Sequence, residues 1–318
     1  MKKNITILLF SLIFGISNLQ AIPPEFSLKA SGGVYDFVLE NNLLYVATDN
    51  GIIDIFNIKT RKRVKQILLP QIKDFTGKNI PAKIFSIDKI KKKDILLVTS
   101  QGSEGFTDVY IIENGKISKL FGQKDKLPIK RAVFIDRQTI FLGLLSSEII
   151  LYDLISKKQI YRKQLSTAVF SNFTTDQTKA LAITCEESGK LRFINIRTGK
   201  TIEIFKGQNL DNVYQTAYSK LTFITAGQDR KVAVYKFNGD SYSLHADFLI
   251  YSVGISPSAR FGAYPANENN DIVVFNINTK QKKTTLKGQK STLTKIHFID
   301  DNNIITSSED PYIMFWKI

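Results

Sequence analysis

Residues 286–318 read LKGQKSTLTKIHFIDDNNIITSSEDPYIMFWKI and contain three strand-like runs, at 293–299, 303–306 and 312–318. Each run alternates apolar and polar positions and favours β-branched or aromatic side chains, as half-buried strands do. Asp, Asn, Ser and Pro separate them, which are turn formers. A single sheet of this kind has two faces and an open outer edge to cover. The stretch is therefore one unit of something larger, and it stops with its last edge unpaired.

Upstream the same unit recurs. Trp316 in IMFWKI has counterparts at Phe56 (IDIFNI), Ile112 (VYIIEN), Tyr152 (IILYDL), Ile194 (LRFINI), Tyr235 (VAVYKF) and Phe275 (IVVFNI). The intervals are 56, 40, 42, 41, 40 and 41 residues. Two strand-like runs precede each position and usually one follows. In the fifth copy the four runs are 213–218, 220–225, 231–237 and 242–249. Four short antiparallel strands repeating every ~40–45 residues describe a β-propeller blade, whose two faces are covered only by stacking between neighbours around a ring. The expected fold is all-β, a seven-bladed propeller over residues 22–318. Its seventh blade lacks an outer strand, and residues 25–30, EFSLKA, stand just before the first strand of blade one. Pairing them beside 312–318 would close the ring.

On these residues the chain resembles the WD40 family, whose units open on Gly-His and close on Trp-Asp. Here the first position reads Gly207-Gln208 and Gly288-Gln289, and the second reads Tyr152-Asp153 and Trp316-Lys317. The resemblance implies a structural hydrogen-bond network of Asp229, Thr225 and Tyr235 in blade five and of Asp310, Thr306 and Trp316 in blade seven, with Gln208 and Gln289 replacing the histidine. Most blades lack these residues, so the resemblance is to a divergent WD40-like propeller.

The first residues read as a secretory signal peptide: Lys2 and Lys3, an apolar core at 5–16, and a polar stretch ending on the small Ala21, after which cleavage is expected. About 12 apolar residues are fewer than the ~20 that span a bilayer, and no cysteine follows them for a lipid anchor. The expectation is a soluble periplasmic protein. Cys185 is the one cysteine and lies in the apolar run LAITC, so it reads as an inert buried thiol. His245 and His297 are the only histidines, both inside strand-like runs, and neither belongs to a His/Asp/Glu cluster at metal-ligand spacing. They read as core or channel-facing residues.

Net charge is +15, but the lysines are spread along the whole chain, as on a solvated surface. The first interval is about 15 residues longer than the rest, and the surplus falls at 69–83 (LPQIKDFTGKNIPAK) and 100–108 (SQGSEGFTD). In a propeller, the inter-blade connections and the turns between second and third strands share one face. Long loops on a rigid scaffold concentrate binding residues. That face would also carry Lys73, Lys78, Lys124, Lys126, Lys206, Arg230, Lys287 and Lys290, partly offset by Asp74, Asp125, Asp211 and Asp229. These eight cations form the candidate partner-binding face. The run Lys91–Lys93 belongs to the opposite face.

No phosphate loop, paired-carboxylate site or Ser/His/Asp arrangement has a local signature. The expectation is a non-catalytic monomer without cofactor, nucleic-acid partner or membrane insertion. The alternative is a propeller enzyme, a quinoprotein-like dehydrogenase or a lactonase, with its site in the central channel. The leader and the stretches SGGVYDFVLE, KGQNLDNVYQ, TAGQDRKVAVYK, LIYSVGISPSA and KGQKSTL also resemble the NapL group of periplasmic WD40-like proteins. That resemblance implies an accessory role for a periplasmic nitrate reductase, in maturation or partner docking, and nitrate reductase subunits as protein partners. It assigns no functional residues.

Overall fold

Seven four-stranded antiparallel sheets stand around a central channel in a computed structural model that describes residues 21–318. The leader residues before Ala21 lie outside the described residues. The innermost strands of blades one to seven are Val34–Glu40, Ile84–Lys89, Ile129–Phe134, Phe170–Thr175, Val213–Ser219, Gly254–Ile255 and Leu293–Phe298. Each repeat position read from the sequence falls in the third strand of its blade, from Phe56 in Ile52–Asn57 to Trp316 in Tyr312–Lys317. Six of the seven are within 3% of full burial, and Tyr152 is 9% exposed.

Burial follows radial position. Second and third strands are covered on both faces by the neighbouring blades, so LLYVAT at Leu43–Thr48 is apolar almost throughout rather than alternating. The outer strand Lys62–Leu68, KRVKQIL, is exposed at all but one position. The apolar clusters lie between blades. One joins Leu286, Phe261 and Val274 of blade six to Ile296, Ile304 and Trp316 of blade seven.

The ring closes at residues 25–30 as the sequence predicts. Phe26–Lys29 pairs antiparallel with Tyr312–Lys317, placing Phe26 opposite Phe315 and Leu28 opposite Ile313. Backbone bonds from Glu25 N to Phe315 O (2.7 Å) and from Ala30 N to Pro311 O (2.8 Å) extend the ladder at both ends. Phe26 stacks on Phe315 with centroids 4.2 Å apart, and the Arg61 guanidinium lies 4.0 Å from the Phe26 centroid. Leu28 is buried with Phe37, Val46 and Ile313 between blades seven and one. The segment also reaches back a blade: Ile22 N donates to Thr285 O (2.8 Å) and Lys287 N to Ile22 O (2.9 Å).

The polar relays of blades five and seven differ from one another. In blade seven Trp316 Nε1 donates to Thr306 Oγ1 (2.9 Å), which donates to Gln289 Oε1 (2.9 Å), and Gln289 Nε2 donates to Ser308 Oγ (2.6 Å). Asp310 is outside this chain and caps the turn by accepting from Tyr312 N (2.7 Å). In blade five Thr225 Oγ1 donates to Asn209 Oδ1 (2.6 Å), and Asn209 Nδ2 donates to Asp229 Oδ1 (3.0 Å). The buried amide there is Asn209, whereas Gln208 faces outward and donates to Ser241 Oγ (3.0 Å). The one-residue shift follows from chain path, because Asn209 is 2% exposed between blades and Gln208 is not buried. A glycine is required beside it: a Cβ on Gly227 would sit 2.3 Å from both Asn209 Nδ2 and Asp229 Oδ1. Tyr235 contributes by stacking on Phe223 (5.0 Å, 13°), and its hydroxyl makes no hydrogen bond of good geometry.

Gln289→Leu leaves the Thr306 hydroxyl without its acceptor and Ser308 Oγ without its donor in the interior, and is expected to cost about 1–3 kcal/mol in urea unfolding. Asp310→Asn keeps a turn-capping oxygen and is expected to stay within about 0.5 kcal/mol of wild type. Equal losses would show that Asp310 anchors the blade as strongly as Gln289 does.

Candidate functional site

Two surfaces are built into this ring, a basic face and the central channel. Within each antiparallel blade, the turn between second and third strands and the connection to the next blade emerge on the same side. All eight basic residues read from the sequence lie in those segments, and all eight side chains are exposed. Lys287 pairs with Asp271 (3.2 Å), the one ion pair among the eight within the described residues.

Four carboxylates on this face cap their own turns. Asp74 Oδ1 accepts from Thr76 N, Thr76 Oγ1 and Lys78 N at 2.6–3.0 Å. Asp125 accepts from Gly122 N (2.8 Å), Asp229 accepts from Leu210 N (3.0 Å), and Asp211 accepts from Asn212 N (2.7 Å). These carboxylates stay charged and partly offset the cations, but among the described residues seven of the eight basic side chains form no ion pair.

The long 69–83 connection is ordered as a small hairpin, Ile72–Lys73 against Asn79–Ile80. Ile72 is buried and Lys73 N bonds Ser103 Oγ (3.3 Å), so the two extra stretches meet. Phe75 stands at the hairpin tip, 96% exposed, between Lys73 and Lys78. Sequence reasoning located the loop but not this side chain. The alternation across 72–80 that defines a hairpin is too short to stand out.

The channel encloses about 760 Å³. A β-bulge interrupts the start of the innermost strand in six of the seven blades, blade six being the exception. Such a bulge re-aims side chains, and it brings consecutive residues such as Tyr35 and Asp36, Lys130 and Arg131, or Thr294 and Lys295 onto the channel. Asp36, 3% exposed, accepts from Lys295 Nζ (2.6 Å) and Ile87 N (3.2 Å) and lies 3.7 Å from Arg131 Nη1. One carboxylate thus touches residues of blades two, three and seven from its place on blade one. Burial alone would raise the Asp36 carboxyl, but the charges of Lys295 and Arg131 and its hydrogen bonds outweigh it and hold the group below its ordinary 3.8.

His297 lines the channel beside this cluster, edge-on to Phe37 at 6.1 Å. His245 lies on the exposed outer strand Ser241–His245, away from core and channel. Cys185 is buried, donates to Asn172 O (3.4 Å) and has its thiol pushed up by burial. Among the described residues no three His, Cys, Asp or Glu side chains gather as metal ligands would, and no helix is long and apolar enough to cross a membrane. The channel residues carried a weak sequence signal: Asp36, Arg131 and Lys295 occupy one repeat position in their inner strands.

Burial and the Lys295 charge pull the His297 imidazole down to about 4 from an ordinary 6.5, with Asp36 opposing. Between those values the unfolded chain holds a proton that the folded chain does not. Stability from this residue is therefore complete above about pH 6.5 and declines as pH falls toward about 4, by at most about 1.4 kcal/mol per pH unit. Urea unfolding from pH 7 to 4 should show this slope in wild type and its loss in His297→Gln. Parallel curves for the two proteins would contradict a neutral, half-buried imidazole.

The chain matches no family profile and no curated protein. Among solved structures it is similar to the crystal structure of the β-propeller domain of Cps50 (Swd1) from Myceliophteria thermophila, with 14% identity, a TM-score of 0.73, and coverage of 93% of this chain and 99% of that one. At that identity the likeness concerns the fold, a seven-bladed, WD40-like β-propeller.

Proposed function

We propose that this chain is an exported, non-catalytic interaction scaffold accessory to a periplasmic nitrate reductase, acting in maturation or partner docking. The reading is supported by one observation: eight exposed cations, seven of them without an ion pair among the described residues, stand on a single face of the ring beside the exposed Phe75. Cations without an ion pair are available to the carboxylates of a partner and raise its rate of encounter. Phe75 adds an aromatic side chain of the kind that anchors interfaces, presented on a hairpin that needs no reordering to bind. The leader-like N-terminus supports export, and the resemblance to the NapL group supports the nitrate reductase as the partner.

The 760 Å³ channel favours a second reading, a propeller enzyme with its site at the ring's centre. A stoichiometric chromophore or metal in protein purified from its native compartment would distinguish it.

Two measurements test the scaffold reading. A deletion strain grown on limiting nitrate is expected to lose periplasmic nitrate reductase activity and to recover it on complementation. Binding of the purified protein to the purified reductase should weaken about tenfold or more in Lys124→Glu/Lys126→Glu, mainly through a slower on-rate at low salt. Full activity in the deletion strain would overturn the reading.

A further inference from the structure

We propose that the channel mouth over blades two and three is a binding site for a carboxylate-bearing ligand, held by Lys83, Lys130 and the unpartnered edge of Arg131. This site lies on the same face as the eight cations but inward of them, at the channel opening, and does not depend on the nitrate reductase reading.

Three observations carry it. Arg131 Nε is buried and has no hydrogen-bond partner, although the same guanidinium lies 3.7 Å from Asp36 through Nη1. A buried donor without a partner costs about 1–3 kcal/mol unless something arrives to accept from it. The Nε edge of a guanidinium offers two parallel N–H groups, which a carboxylate accepts together.

Around the mouth the cations Lys83, Lys130, Arg131 and Lys295 outnumber the carboxylates Asp36, Glu187 and Glu309 by one. Asp36 serves both Lys295 and Arg131, and Glu309 accepts from the Tyr35 hydroxyl (3.3 Å). Among the described residues neither Lys83 nor Lys130 forms an ion pair. Lys83 instead places Nζ 3.7 Å from the Tyr35 ring centroid. Lys130 keeps an exposed surface, yet the surrounding protein and the neighbouring Lys83 charge hold its ammonium below its ordinary value, and an anion would relieve that like-charge pairing.

The third observation is the backbone. Lys130 is the extra residue of the bulge between Ile129 and Arg131, so it lines the channel together with Arg131 instead of pointing to the opposite face. The cavity, at about 760 Å³, lies within the range of small-ligand sites and also admits the tip of an acidic peptide.

Citrate and a blocked triglutamate peptide serve as probes, titrated calorimetrically into the folded protein at low ionic strength, with blocked triglutamine as the neutral control. Saturable one-site binding is expected for at least one acidic probe. Citrate alone would indicate a free organic acid, and triglutamate an acidic protein segment. Affinity should fall about tenfold or more in Lys83→Gln/Lys130→Gln. It should stay within about twofold in Lys157→Gln/Lys158→Gln, which removes the same two charges from the exposed outer turn of blade three. Arg131→Gln, once circular dichroism shows it folded, should lose binding too. The proposal is overturned if wild type binds neither acidic probe, if triglutamine binds as tightly as triglutamate, or if both double variants weaken binding equally.

Discussion

Everything in this molecule depends on one antiparallel pairing, Phe26–Lys29 against Tyr312–Lys317. A propeller is a chain of sheets, each stable only because its faces are covered, and the first and last blades have neighbours only if the chain bends into a circle. The N-terminal segment fixes that circle by lending blade seven the outer strand that blade's own sequence lacks. Its buried anchor is Leu28, and its outer flank is shielded by the Arg61 guanidinium over Phe26. Ile22 extends the clasp to blade six, so the chain start is tied to two blades and packs in a cluster with Trp316 and Leu286.

A second, inner ring of polar contacts complements the outer clasp. Asp36 links blade one to residues of blades two, three and seven. Asp88 on blade two accepts from Phe134 N (2.7 Å) and Lys179 Nζ (2.8 Å) on blades three and four. Gln215 on blade five accepts from Val253 N (3.2 Å) and donates to Thr294 O (3.2 Å) on blades six and seven. Thr294 Oγ1 in turn donates to Val34 O (2.7 Å) on blade one. Buried polar groups of this kind are costly unless satisfied, and here satisfying them requires several blades at once. The outer strand decides whether the ring is closed, and the inner contacts fix how the blades are set around the channel.

Most of the architecture was legible in the sequence because it rests on repetition. The spacing from Phe56 to Trp316 located the third strand of every blade, and the missing fourth strand of blade seven pointed to residues 25–30. The polar relays were less legible. Their geometry depends on which of two adjacent amides turns inward, and a one-residue difference, Asn209 in blade five against Gln289 in blade seven, has no local sequence mark. The channel lining was hidden for another reason. A bulge shifts alternation by one residue, so Lys130 and Arg131 read as opposite faces of a strand although both reach the channel. Phe75 was hidden because an exposed aromatic side chain in a loop looks the same as a buried one until the hairpin is placed.

The ring thus combines a rigid frame, a face of exposed cations and a charged channel, and both proposed binding roles need the frame to be closed. The most direct test of that closure is thermal unfolding of the chain from residue 22 beside the chain from residue 31. Removing residues 22–30 takes the outer strand of blade seven and the Leu28 anchor, and at about 2–4 °C per kcal/mol it should lower Tm by well over about 5 °C. An unchanged Tm would mean that the segment is a tail and that the ring holds itself closed without it.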